Sequence, residues 1–193
     1  VRCLKFNKFY HLGCFCTVRT NWSSPAILDW RFSIQFTDGF NVIEIMNSLF
    51  NNFLQYTERE HKEEGLSFKN VVVFGSYEFY PLADSSLGSM AQIQSQLLDH
   101  IDILPENVHT FPGDLPKETV FTFCEEYEKA IVEAGGIDIQ VLGIGQCGNI
   151  AMNEPGTQPN SSTRLVIMDS NSRMDVKSLF GNVAQVPTCA ITL

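Results

Sequence analysis

From residue 58 onward, short β-branched runs alternate with stretches in which apolar residues recur every three or four positions. Val71–Phe74 reads as a strand of the kind buried in a parallel sheet. Gly88–His100 then reads as a helix, and a loop covers Pro105–Pro116. A second helix is expected over about Glu118–Ala134, with Phe121, Cys124, Tyr127 and Ile131 on one face and Gly135-Gly136 as its stop. Ile137–Ile144 is the next strand, running into a turn that holds Gly143, Gly145 and Gly148. Leu165–Met168 makes a further strand, and Ala190–Leu193 begins another. Alternation of strand and helix at this spacing predicts an α/β fold with a doubly wound, mostly parallel sheet and helices on both faces. Ligands of such sheets bind beyond the carboxyl ends of the strands, so the loops after Phe74 and Ile144 are where chemistry is expected.

The first 57 residues are different. Arg2–Phe40 has no sustained period, and only a short strand near Arg31–Phe36 is expected there. Over Phe40–Tyr56, Ile43, Met46, Phe50, Phe53 and Leu54 recur at helical spacing, which predicts an amphipathic helix. Charge changes with the pattern: residues 1–57 sum to about +2 and residues 58–193 to about −11, and eight of the 15 Phe precede residue 58. We therefore divide the chain into an unassigned segment, 1–57, and an α/β domain, 58–193.

The net charge of −9 argues against a nucleic-acid partner, whose backbone is held mainly by Lys and Arg. The chain has no apolar run of membrane-spanning length and no recognisable signal peptide, so no membrane partner and a cytoplasmic setting are expected. Six cysteines are scattered without a C-x-x-C pair, and no two of the four His have the spacing of helical metal ligands, so neither a metal nor another cofactor is expected. Asn21-Trp22-Ser23 and Asn160-Ser161-Ser162 match the glycosylation sequon, which carries little weight without a secretion signal. The Val1 start and the unfinished last strand suggest an incomplete, C-terminally truncated chain.

Four stretches of the second part resemble one family. They are Glu63-Glu64-Gly65-Leu66-Ser67-Phe68-Lys69-Asn70-Val71-Val72-Val73-Phe74, Glu78-Phe79-Tyr80-Pro81-Leu82, and Leu98-Asp99-His100-Ile101-Asp102-Ile103 with Pro105-Glu106-Asn107 after it. The most specific is Gly143-Ile144-Gly145-Gln146-Cys147-Gly148-Asn149-Ile150-Ala151-Met152-Asn153-Glu154-Pro155-Gly156, followed by Ser162-Thr163-Arg164. In this order and spacing they resemble the glucosamine-6-phosphate deaminase/isomerase family. The resemblance implies a modified Rossmann-like sheet, a sugar-phosphate ligand, assembly into homo-oligomers and a role in amino-sugar phosphate metabolism. The family reaction converts glucosamine 6-phosphate to fructose 6-phosphate and ammonia.

That chemistry needs a carboxylate to move a proton between adjacent carbons, a His to help open the ring, and a phosphate anchor. Where the family has the proton-moving Asp, in a pattern F-N-x-D-E-Y, this chain has Tyr77. A phenol with a reference pKa near ~10 is a poor base at neutral pH, and Glu78, next along, should point the other way. In the glycine-rich motif, Cys147 replaces an Asp and Asn149 the ring-opening His, whereas Glu154 is retained. Gly145 and Gly148 remain as candidate substrate-binding positions beside a tight turn. For the phosphate, Thr37-Asp38-Gly39-Phe40 is the nearest candidate loop, with Lys177 and the more distant Arg173 as candidate cations. Arg164 matches a family Arg and is expected in a solvated salt bridge. Three readings follow: an active deaminase using substitute residues, a catalytically inactive family member that binds or regulates through a sugar phosphate, and a degraded fragment without independent function. The substitutions favour loss of the reaction.

Overall fold

The computed structural model describes residues 16–20, 54–140 and 148–193. The strand expected at Arg31–Phe36, the first part of the helix expected over Phe40–Tyr56, and Thr37–Phe40 lie outside these residues.

Residues 54–64 form helix α1, which runs past the expected end at Tyr56 and crosses the change of composition at residue 58. Its exposed face carries the Lys62–Glu58 pair one turn apart, a polar continuation that an apolar stripe cannot announce. Leu54 packs with Val71 and Val73 of β2 (Val71–Gly75) and with Ile93 of α2 (Ser89–Gln96). On the opposite face of β2, Phe74 meets Val120, Cys124, Tyr127 and Ile131 of α3 (Val120–Glu133). Helices thus cover both faces of β2, as its unbroken apolar run implies.

The described strands form two sheets. In one, β2 lies between β4 (Val108–His109) and β1 (Cys16–Thr20), and β1 also pairs with β5 (Ile139–Gln140). The β2–β4 pair is parallel, joined through α2, as a βαβ unit should be; β1 runs antiparallel to both β2 and β5. In the other sheet, β7 (Cys189–Thr192) lies between β3 (Tyr77–Tyr80) and β6 (Arg164–Ile167), antiparallel to each. The α/β class therefore stands, but antiparallel pairing outweighs parallel among the described strands, which a mostly parallel sheet did not anticipate. The cause is local: β3 begins after the single residue Ser76, too soon for a crossover, so the chain passes into a second sheet.

Three further expectations change. No open loop follows Phe74, because β3 does; all four of its residues are buried, leaving no alternation to read. The stretch Pro105–Pro116 includes β4, whose two residues are too few to show a period. On α3 the buried stripe is Val120, Cys124, Tyr127 and Ile131, whereas Phe121 is 73% exposed. One residue of offset rotates a side chain by about 100° around a helix, enough to move it off the core. The helix ends as expected. Gly136 N–H donates to Ile131 O and Gly135 N–H to Val132 O, the paired bonds of a Schellman stop, with both glycines at positive φ. The helix expected over Gly88–His100 is α2 followed by a 3-10 turn at Leu98–His100, and a short α4 (Ser170–Asp175) follows β6. No helix among the described residues is long and apolar enough to cross a membrane.

Candidate functional site

The retained half of the glycine-rich motif, residues 148–157, is folded as two successive tight turns. Gly148 has φ 82° and Ala151 φ 52°, and Ile150 and Asn153 exchange backbone bonds of 3.2 and 2.9 Å. Gly156, at φ 94°, lies within the next turn, where Thr157 N–H donates to Glu154 O at 3.0 Å. The segment is fastened to β7: Asn153 Nδ2 donates to Leu193 O at 2.7 Å, and Met152 N–H to Thr192 Oγ1 at 3.3 Å. Arg164 then holds the segment from β6. Its guanidinium donates to Asn153 Oδ1 at 2.7 Å, to Thr157 Oγ1 at 3.4 Å and to Ser162 O at 3.1 Å. The solvated salt bridge expected for Arg164 is replaced here by bonds to neutral oxygens, because the turns place those acceptors beside β6.

Tyr77 is 7% exposed and packs with Phe79, Met152 and Met168 in an apolar cluster, its ring edge-on to Phe79 with centroids 5.7 Å apart. Glu78 points to the other side, as strand alternation requires. Its carboxylate accepts from Phe79 N–H and Ser89 N–H, both at 2.9 Å, and from Met90 N–H at 3.1 Å. Burial pushes this carboxyl above its ordinary range, and the three backbone donors offset only part of that. Glu78 is thus the anchor of α2 and faces away from Tyr77.

Asn149 is 6% exposed; its Nδ2 donates to Ala151 O at 3.0 Å, and its Oδ1 is buried without a partner. Glu154 is half-buried and uses both carboxylate oxygens on the start of α4, accepting from Asp169 N–H and from the Ser172 hydroxyl at 3.0 Å each. Lys177 is exposed. Arg173 donates to Val183 O and Val186 O at 3.0 Å, which commits it to the loop before β7. Gly143, Gly145 and Cys147 lie outside the described residues.

An open cleft of about 570 Å³ brings Gly148 and Glu154 together with Ser76, at the junction of β2 and β3, and Leu193, at the end of β7. Tyr77 and Asn149 are not among the described residues that line it. Two wall residues escaped sequence reasoning. Ser76 is 1% exposed with its hydroxyl buried and unpartnered, and Glu128 on α3 accepts from the Thr163 amide and hydroxyl. Glu128 lies one turn from both Cys124 and Ile131, so its position at the flank of the buried stripe was the available signal; Ser76 gave none. Among the described residues no group of three or more metal-ligating side chains is gathered.

A monomeric glucosamine-6-phosphate deaminase of the NagB superfamily has a similar fold, with a TM-score of 0.69 and 29% identity, the match covering 74% of this chain and 59% of that one. In sequence, the chain is 48% identical over 136 residues to a glucosamine-6-phosphate deaminase-like protein of Bacteroides thetaiotaomicron, covering 70% of this chain and 20% of that protein. It is 40% identical over 134 residues to the glucosamine-6-phosphate deaminase of Porphyromonas gingivalis, covering 68% of this chain and 50% of the enzyme. With that of Bacillus pumilus it shares 39% identity over 138 residues, covering 69% of this chain and 55% of the enzyme. No family model matches the chain. The first likeness defines the class, an α/β protein built like a sugar-phosphate deaminase. The sequence identities make it specific: the chain belongs to the glucosamine-6-phosphate deaminase family. It spans about half the length of the Porphyromonas and Bacillus deaminases and a fifth of the Bacteroides protein.

Proposed function

We propose that this chain keeps the family architecture over residues 58–193 without the family reaction. The observation that carries this reading is the state of Tyr77. Where the resemblance calls for a carboxylate base, a phenol is packed among Phe79, Met152 and Met168, out of the cleft. A phenol, with a reference pKa of about 10, is a poor proton acceptor at neutral pH. At the position of the ring-opening His, Asn149 cannot titrate, and its amide is used on Ala151 O. Glu154 keeps a carboxylate, but its two oxygens accept from Asp169 N–H and the Ser172 hydroxyl. A carboxylate committed to the start of α4 is no substitute for the two missing groups. The parallel β2–β4 pair with helices on both sides supports the Rossmann-like, doubly wound arrangement as the ancestral frame.

A coupled assay for ammonia, run on the full chain with glucosamine 6-phosphate, tests the reading. The expected rate is background. Ammonia release that disappears in Glu154→Gln would overturn it.

A further inference from the structure

Strand β6 stands at the end of the three-stranded sheet, where β7 is its one neighbour among the described strands. Just past it, Met168 N–H donates to Thr188 O at 2.9 Å. Backbone groups change sides from one residue to the next along an antiparallel pair, so those of Leu165 and Ile167 point away from β7, to the outer edge. Their side chains are exposed as well, Ile167 at 80% and Leu165 at 37%. They project on the α3 side of the sheet, because their cross-strand partners Cys189 and Ile191 pack in the cluster that holds Cys124 and Tyr127 of α3.

The flank of α3 continues that surface. Glu128 accepts from the amide and hydroxyl of Thr163, which brings the helix beside the start of β6. On the same flank Phe121 and Val132 are each 73% exposed and lie about 16 Å apart, with Glu125 and Glu128 between them. About five residues of extended chain span that distance.

An unblocked strand edge with apolar side chains beside it is a template to which an extended segment adds, its backbone bonding to the edge and its alternate side chains filling the apolar positions. β6 holds neither of the residues, Lys and Pro, that commonly blunt such edges. Charge decides the kind of segment. α3 carries four Glu and a single Lys, so a second copy of this chain would bring up a like-charged flank, whereas a basic segment meets complementary charge.

We infer that the α3–β6 face docks an extended, basic segment of another protein. The segment adds a strand to the β6 edge and turns apolar side chains toward Leu165, Ile167, Phe121 and Val132, and basic ones toward Glu125 and Glu128. Docking of this kind needs no catalysis, so it stands or falls apart from the proposed loss of the family reaction.

Fluorescence anisotropy with a labelled heptapeptide, Val-Thr-Lys-Thr-Val-Thr-Lys, added to the full chain tests it. The odd positions of the peptide place two apolar and two basic side chains on one face of a strand. It is expected to bind at least tenfold tighter than the same peptide with Glu for Lys or with Gly for Val, and more weakly as salt is raised. Ile167→Lys, at an exposed position that asks for no repacking, should weaken it at least tenfold while the melting temperature holds, and Glu125→Gln should weaken it several-fold. N-methylation of the peptide amides at the odd or at the even positions should abolish binding in one case and spare it in the other, because only alternate amides face β6. Equal affinities for the three peptides, no binding at millimolar concentration, wild-type binding by Ile167→Lys, or binding that survives both N-methylations each overturns the proposal. Light scattering is expected to show a monomer, and a dimer that Ile167→Lys splits would assign the face to a second copy and remove the basic partner.

Discussion

Replacing Gly88 by Ala is expected to destabilise the protein, against the usual direction of such a change. At φ −72° and ψ 158° the position is open to any residue, and Gly→Ala at a compatible site ordinarily stabilises by about 0.4–1 kcal/mol through the unfolded chain. Here a Cβ would stand 2.7 Å from Glu78 Oε2, 3.0 Å from its Cδ and 3.1 Å from Oε1, where ordinary contact begins at 3.4 Å. The carboxylate has to retreat by several tenths of an ångström, away from Ser89 N–H at 2.9 Å and Met90 N–H at 3.1 Å. A hydrogen bond to a charged group contributes about 1.5–3 kcal/mol, so the loss of one outweighs the entropic gain and leaves a net cost of about 1–2 kcal/mol. Urea unfolding of the wild type, Gly88→Ala, Glu78→Ala and the double variant measures this as a cycle. Once Glu78 is truncated, the added methyl meets open space and should be neutral or stabilising, which makes the coupling about 2 kcal/mol. If Gly88→Ala costs nothing, or costs the same in both backgrounds, the carboxylate is not held where the geometry places it.

Other consequences are as direct. Because burial raises the Glu78 carboxyl, the folded state holds that proton more tightly than the unfolded chain does; the contribution is full below the ordinary value near 4.5 and is lost as pH rises through the raised value. The stability of the wild type relative to Glu78→Gln should therefore fall as pH rises above about 4.5 in urea titrations, and a gap growing in favour of the wild type would contradict the burial argument. Tyr77→Asp, which supplies the carboxylate that the family resemblance implies there, should cost about 3–5 kcal/mol, since it removes an aromatic ring from the cluster with Phe79, Met152 and Met168 and leaves a carboxylate in its place. An unchanged urea midpoint would show that Tyr77 is not in that core. Gly136→Ala, at φ 93° with nothing within 4 Å of the added atom, should cost about 1–2 kcal/mol from backbone strain alone, read as a lower melting temperature.

Local interactions were the legible ones. The stop of α3 could be placed at Gly135-Gly136 because the bonds that make it are local, from Gly135 to Val132 three residues back and from Gly136 to Ile131 five residues back. The strand at β2 was visible because both of its faces are apolar, and Tyr77 and Asn149 stood out because motif positions are counted along the chain. The family itself came from the same kind of evidence, spacing within four stretches.

Position in space was another matter. β3 carries four buried residues in a row and β1 no period, so only their partners, β7 for the one and β2 and β5 for the other, define them as strands. That Tyr77 is core and Glu78 a helix anchor depends on α2, whose Ser89 lies 11 residues away from Glu78. The glycine-rich turns are held by Asn153 on Leu193, 40 residues apart, and the cleft exists because Ser76, Glu128 and Leu193 arrive there from three separate elements. Periodic elements, the glycine stop of α3 and the residue types at each motif position depend on neighbours within a few residues, so the chain alone could supply them. Which side chains face the cleft was set by the packing of distant elements, because the surroundings of a buried polar group come from parts of the fold that local pattern does not connect.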